Sequence, residues 1–297
     1  MLSAHAPANP PQLDVLKPRR QRSILRAPFK TTLQPDGALW LAHFRRRNGY
    51  LLRFPGMADF AINRAATAVS CAPVPGTSAA TVEHLFLNQI VPLALSQQGR
   101  LVLHGSAVNA DGRALAFLGD SGQGKSTLAG HFASHGMSFL TDDGLFIDQL
   151  DDRARVVPGH RSIRLWADSE LSLLPSGSQK ADEVQFTNKG RFHAGGVFRH
   201  CAEVIDLQCI YLLRNGGAAS VQIRPMPPAA AFMALVTNSF VLDTESSIAL
   251  GRHFSQLHAL IRTTKVFSLD YPRDFSQLPQ VKSAVVAHAD ALPNFAK

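Results

Sequence analysis

The run Gly119-Asp120-Ser121-Gly122-Gln123-Gly124-Lys125-Ser126-Thr127 matches G-x-x-x-x-G-K-[ST] in full, a turn that works only between a buried strand and the first turn of a helix. Both flanks are present: Ala114-Leu115-Ala116-Phe117-Leu118 is an apolar strand, and Thr127-Leu128-Ala129-Gly130-His131-Phe132 opens a helix. Glycines let backbone N–H groups close on phosphate oxygens, and the helix N-terminus adds positive potential. Lys125 is placed to span the β- and γ-phosphates, and Ser126 to offer its hydroxyl to Mg2+. The loop therefore predicts an α/β fold that binds a nucleotide such as ATP, with Gly119 to Thr127 as the phosphate-binding set.

Upstream, 101–108 and 113–119 read as strands joined by Asp111-Gly112, a favoured two-residue hairpin turn. With Ala110 facing Arg113, His104 falls opposite Gly119, so its imidazole is delivered beside the phosphates. Downstream, Ser138-Phe139-Leu140-Thr141 reads as a strand ending in Asp142 and Asp143. As a parallel neighbour of the loop strand it would bring a carboxylate to the loop, where it can hold Mg2+ or accept a hydroxyl proton. Adjacent strand residues face opposite ways, so one acid is expected toward the phosphates and the other toward metal or structure. A structural histidine and a polar strand-to-turn junction are the plainer account of these residues; the register favours the functional one. Arg164 has a guanidinium fork that suits a second phosphate or acceptor contact, or an exposed position. Lys189-Gly190-Arg191 reads as a mobile loop over the acceptor or an ordinary turn, and His193 and His200 as structural or surface histidines.

The remainder alternates β and α signals, with strands at 137–142, 145–149, 208–214 and 220–225 and helices at 126–135, 228–240, 245–262 and 276–288. Before it, short apolar runs bounded by Asp36-Gly37, Asn48-Gly49 and Pro55-Gly56 read as β-hairpins, followed by a helix from Ala79 to Ser96 that Pro92 should kink near its end. Charge divides the chain sharply. Residues 1–53 hold ten Lys/Arg against two Asp, while 54–297 hold twenty of each sign. The basic run Lys17-Pro18-Arg19-Arg20-Gln21-Arg22 lies in a Pro-rich opening without interleaved aromatics, which reads as a solvated tail rather than a nucleic-acid surface. The domains expected are a flexible basic leader (1–27), a small β-rich accessory domain with a connecting helix (28–98), and the phosphate-loop domain (99–297). No run approaches the roughly 18 apolar residues of a membrane span, and the start lacks a signal-peptide core, so a cytoplasmic protein is expected. Cys71, Cys201 and Cys209 show no metal or disulfide spacing and read as buried thiols.

His104-Gly105, the loop Gly119 to Ser126, and Thr141-Asp142-Asp143 together resemble, in order and spacing, the HPr kinase/phosphorylase family. Val157-Pro158-Gly159-His160-Arg161-Ser162-Ile163-Arg164-Leu165-Trp166-Ala167-Asp168 is similar to a segment of HPr-kinase-like proteins, some encoded with lasso-peptide maturation systems. So are Leu51 to Phe60 and Leu85 to Leu95, and the likeness covers roughly residues 50 to 280. The resemblance implies a phosphoenolpyruvate-carboxykinase-like fold around the loop and ATP-dependent phosphorylation of a serine. It also implies Asp142 as catalytic acid/base, His104 as the group that positions or polarises Asp142, and Asp143 with Ser126 near Mg2+.

The expected activity is transfer of the γ-phosphoryl of ATP to a serine on a peptide or small protein. Nucleic acid and membrane are not expected as partners, and homo-oligomerisation stays open. A small-metabolite kinase and a nucleotide-binding regulator or ATPase are the alternatives, because a phosphate loop reports binding rather than transfer. Gly144-Leu145-Phe146-Ile147-Asp148 after the acids reads as a turn and a strand, where small-metabolite kinases usually continue into a helix.

Overall fold

Alternating apolar residues in Leu39 to Pro73 form an antiparallel meander whose inward positions, Leu52, Phe54 and Phe60 among them, are fully buried. Its strands are β2 (Lys30–Leu33), β3 (Leu39–Arg46), β4 (Gly49–Phe54), β5 (Ala58–Asn63) and β6 (Ala68–Pro73), with β1 (Gln12–Val15) on the far side of β6. The computed structural model describes residues 10–34, 36–150, 152–175, 178–193 and 198–293. The chain divides into two units: one of Met1–Arg100, Val184–Thr187 and Val241–Leu250, the other of Leu101–Glu183, Asn188–Phe240 and Gly251–Lys297.

In the first unit the sheet order is β1-β6-β5-β4-β3-β2, and β1 alone runs parallel to its neighbour. This corrects the flexible leader expected over residues 1–27, of which residues 1–9 lie outside the described residues. From Gln12 the chain is ordered: Leu16 and Arg19 donate backbone N–H groups to Cys71 O and Pro73 O at 2.8 Å. Gln21 supplies the reason. Its amide donates to Phe54 O and Asp59 Oδ1, both at 2.9 Å, and accepts from Gly56 N at 3.0 Å. Backbone pairing and one amide outweigh the local charge repulsion that the composition alone reports.

The helix after the meander is broken ahead of Pro92. Between α1 (Ala79–Leu85) and α2 (Val91–Gln97), Phe86–Ile90 form a π-turn. Pro92 has no N–H for the carbonyl four residues back, and its ring crowds that carbonyl, so the turn widens there.

The second unit carries a larger sheet built from β7 (Leu101–Ala110), β8 (Arg113–Leu118), β9 (Ser138–Thr141), β10 (Gly144–Gln149), β11 (Ala154–Val157), β14 (Ile205–Leu213), β15 (Gln222–Pro225) and β16 (Lys265–Asp270). The order is β11-β10-β7-β8-β14-β16-β15, with β9 also on β7. Strands β8, β14 and β16 are mutually parallel, so their carboxyl ends share one edge. Successive residues divide between two cores. Phe117, Tyr211 and Leu269 pack under α3 (Lys125–Ser134) and α7 (Leu278–Asp290). Ala116, Leu118, Ile210, Leu212 and Val266 pack under α5 (Pro228–Thr237) and α6 (Ser247–Thr263). A sheet covered on both faces explains the near-continuous apolar strands.

A two-stranded ribbon joins β12 (Ser162–Leu165) to β13 (Gly190–His193), with α4 (Ala167–Leu173) between them in sequence. Lys189-Gly190-Arg191 thus enters a strand, neither loop nor turn, with Arg191 paired to Arg164. Cys71 and Cys209 are buried, whereas Cys201 is only half-buried, contrary to the expectation for all three. Among the described residues no helix is long and apolar enough to cross a membrane.

Gln21→Ala strands Asp59, which is 8% exposed, without one of its donors, and should cost about 1–2 kcal/mol. A thermal melt should fall by several degrees; an unchanged melt would mean that residues 16–22 contribute nothing to the fold.

Candidate active site

The hairpin register is the one that Asp111-Gly112 predicts, running from Ala110↔Arg113 to Gly105↔Leu118. His104 follows at the mouth of the loop. The strand carrying the acids, however, is not a direct neighbour of β8. It pairs antiparallel with β7, and β7 pairs antiparallel with β8. β9 therefore points the same way as β8 with β7 between them, and His104 and Ser106 of β7 stand between the loop and the acids. Ser106 was not singled out from the sequence, although its position two residues after His104 places it on the same face.

Asp142 is 1% exposed and its carboxylate accepts three hydrogen bonds. Oδ1 accepts Ser106 Oγ at 2.6 Å and Ser126 Oγ at 2.8 Å, while Oδ2 accepts the Arg164 backbone N–H at 3.3 Å. Asp143 takes different partners. Its Oδ2 accepts Arg164 Nη2 at 2.6 Å and Nε at 3.1 Å, and His104 Nε2 lies 3.6 Å from its Oδ1. The expectation that His104 addresses Asp142 is thus corrected to Asp143. The physical cause is backbone: Asp143 has φ 64°, and Gly144 N–H donates to Asp142 O at 2.8 Å across it. This tight turn places the two carboxylates in separate environments, at a strain typical of functional sites. Arg164, considered as a phosphate contact, is engaged by Asp143.

Burial pushes the Asp143 carboxyl up, but the Arg164 guanidinium and His104 overcome it and hold it well below the usual carboxylate range. Burial lowers Lys125, against the pull of Asp142 and Asp143. Lys189 is lowered by burial and then by Arg164, and its ammonium sits 5.0 Å over the Trp166 ring. His160 is lowered by burial against the field of both acids, which favours a neutral imidazole, and its Nδ1 lies 2.8 Å from Ser162 Oγ. Its neighbour Gly159 is sterically required, since a Cβ there would meet Thr141 Oγ1 at 2.2 Å.

The phosphate loop is closed on itself. Lys125 Nζ donates to Gly119 O at 2.8 Å and Asp120 O at 3.0 Å. Gln123 accepts from Asp120 N at 2.9 Å and donates to Asp120 Oδ2 and to Asn215 Oδ1. Gly124, at φ 89°, caps α3, and a Cβ there would lie 3.0 Å from Tyr271 Oη and 3.1 Å from Arg273 Nη1. The Arg273 guanidinium covers the Tyr271 ring and donates to Arg214 O. The carboxyl ends of β14 and β16 thereby wall the loop with Asn215, Tyr271 and Arg273, which no motif marked in the sequence. Thr127, counted with the phosphate contacts, instead shares its hydroxyl with Ser169 Oγ at 3.1 Å. Gly122 and Ser121 lie on the outer turn, where a Cβ on Gly122 would meet nothing within 4 Å.

Because Asp143 is held low, the Asp143–Arg164 pair stabilises fully above the unfolded carboxyl value of about 3.9 and is lost only as pH falls through the lower folded value. Arg164→Ala leaves the Asp143 carboxylate with His104 alone, at about 1–3 kcal/mol. Its acid-unfolding midpoint, followed by circular dichroism, should move to higher pH; an unmoved midpoint would show that the pair does not hold Asp143.

No family model matches the chain, and no curated protein matches it. Among solved structures it is similar to the HPr(Ser) kinase/phosphatase from Coxiella burnetii, at 12% identity and a TM-score of 0.37 over 63% of this chain and 95% of that one. A superposition that loose assigns no residue a role.

Proposed function

We propose that this chain is an ATP-dependent kinase that transfers the γ-phosphoryl group to a serine hydroxyl on a peptide or small protein. One observation carries the reading: the hydroxyl that follows the loop lysine, Ser126, is hydrogen-bonded to one buried carboxylate, while the adjacent carboxylate faces a histidine and an arginine. A loop that only binds nucleotide has no need of the second carboxylate.

The donor set fits a triphosphate with Mg2+. Gly119, Gly122 and Gly124 all have positive φ, which turns backbone N–H groups toward an anion, and Lys125 already donates into the loop where phosphate oxygens would replace its two carbonyl partners. Ser126 and Asp142 would hold Mg2+, which supplies charge neutralisation at the phosphoryl oxygens, with phosphate and water completing its shell. Asp143, kept ionised, accepts the proton of the serine hydroxyl as the new P–O bond forms and the bond from the γ-phosphorus to the bridging oxygen breaks to release ADP, and His104 and Arg164 fix the direction of that carboxylate. This exchanges the two acid roles that the resemblance implied. As a weak base, Asp143 acts mainly by orienting the hydroxyl, which suits a loose phosphoryl-transfer transition state. Arg164 and Lys189 add positive charge beside the acceptor position.

Incubation with γ-labelled ATP and a cell extract tests the reading. A labelled serine on a polypeptide is expected; a labelled metabolite would move the chain to the small-metabolite kinases, and free phosphate alone would make it an ATPase or regulator. Lys125→Ala should remove most MgATP binding in calorimetry while leaving the fold intact. Asp143→Asn should retain MgATP affinity and lose about a hundredfold to ten-thousandfold in transfer rate, whereas Asp142→Asn should weaken the Mg2+ dependence of binding. The opposite pattern would restore the roles Asp142 as base and Asp143 as metal ligand.

A further inference from the structure

The ordered opening of the chain leaves an unused sheet edge beside an unpaired run of positive charge. β1 pairs with β6 on one side, and among the described residues no strand pairs with its other side. Gln12 and Leu16 donate to Thr67 O and Cys71 O, so the alternate residues Leu13 and Val15 turn their backbone groups outward. Val15 is 55% exposed and Leu16 39%. Immediately after β1 come Lys17, Arg19, Arg20 and Arg22, all described and exposed. Among the described residues none of these four side chains takes part in an ion pair, and Asp59, which accepts the Gln21 amide, is occupied by Arg53 at 2.8 Å.

A run of like charges in solution spreads apart. Here it is pinned instead, by the three hydrogen bonds of Gln21 and by Arg53 Nη1, which donates to Arg22 O at 2.8 Å. The fold therefore maintains a fixed cationic strip in line with a free strand edge, where the one acid of β1, the exposed Asp14, is outnumbered by the four basic residues.

We propose that this edge docks an extended acidic polypeptide segment, which adds a strand to β1 through Leu13 and Val15 and lays its carboxylates along Lys17 to Arg22. Main-chain pairing supplies affinity and the arginines supply selectivity. A second copy of this edge is disfavoured, because parallel pairing would bring two identical cationic strips together and antiparallel pairing would leave both strips without an acidic partner. A nucleic acid finds no stacking platform, since among the described residues the large apolar side chains exposed on this unit are Val15, Leu16, Leu25, Leu33, Leu39 and Ile248, with no aromatic ring. The inference stands whether or not the chain transfers phosphate.

The test is fluorescence anisotropy on the full chain. The probe is a short labelled peptide with an alternating Val/Thr half and a Glu-rich half, compared with the same peptide N-methylated at alternate residues of its Val/Thr half, and with a labelled single-stranded oligothymidylate. The unmodified peptide should bind. Arg19→Glu with Arg20→Glu, both exposed and checked for folding by circular dichroism, should weaken it about tenfold or more, and N-methylation should weaken it similarly. Tighter binding of the oligothymidylate, no binding of the peptide, or indifference to the charge reversal would overturn the proposal. Loss on charge reversal with no effect of N-methylation would also overturn it, because the strip would then be an electrostatic surface without strand addition.

Discussion

Two consecutive carboxylates must not share one environment, and the positive φ of Asp143 is what separates them. On a regular strand they would point to opposite faces of the sheet, and one would be lost to the core. The tight turn keeps both at the mouth of the loop while giving each its own partners: two serines for Asp142, a histidine and an arginine for Asp143. Every other feature of the site answers to that division. β7 carries His104 and Ser106 between loop and acids, and β12 brings Arg164, whose backbone and side chain address the two acids separately.

Packing explains why this arrangement is held firmly. Phe117 and Phe132 are fully buried on one face and Leu118 is almost so on the other, each worth roughly 1.5–3 kcal/mol of burial. The strand that leads into the loop is therefore locked on both sides. Gly159 is forced against Thr141, so the segment entering β12 cannot shift without disturbing the acids. Strain at Asp143 is stored against a rigid frame, which is the condition under which such strain persists.

The loop, its strand and helix, the hairpin register and the identity of the two acids were legible because each depends on local pattern: glycine spacing, alternation, a two-residue turn. What escaped depends on contacts remote in sequence. Nothing in the Asp142-Asp143 dipeptide foretells a left-handed residue at Asp143, and the partner of His104 turns on that one dihedral. Lys189-Gly190-Arg191 looked like a loop because its strand partner, Ser162 to Leu165, is only four residues long and lies more than twenty residues away in sequence. Tyr271 and Arg273 follow an ordinary strand and acquire meaning only where β16 ends beside Gly124. The leader was misjudged for a similar reason, since proline and charge argue for disorder until Gln21 meets Asp59 across the sheet.

The division of labour between the acids is tested most directly by locating the metal. Crystals grown with Mn2+ and a non-hydrolysable ATP analogue would reveal the ion by anomalous scattering. Mn2+ is expected beside Ser126 and Asp142, with Lys125 turned from Gly119 O and Asp120 O to the phosphates and Asp143 still paired with Arg164. Mn2+ ligated by Asp143, with Asp142 turned toward the acceptor, would contradict it.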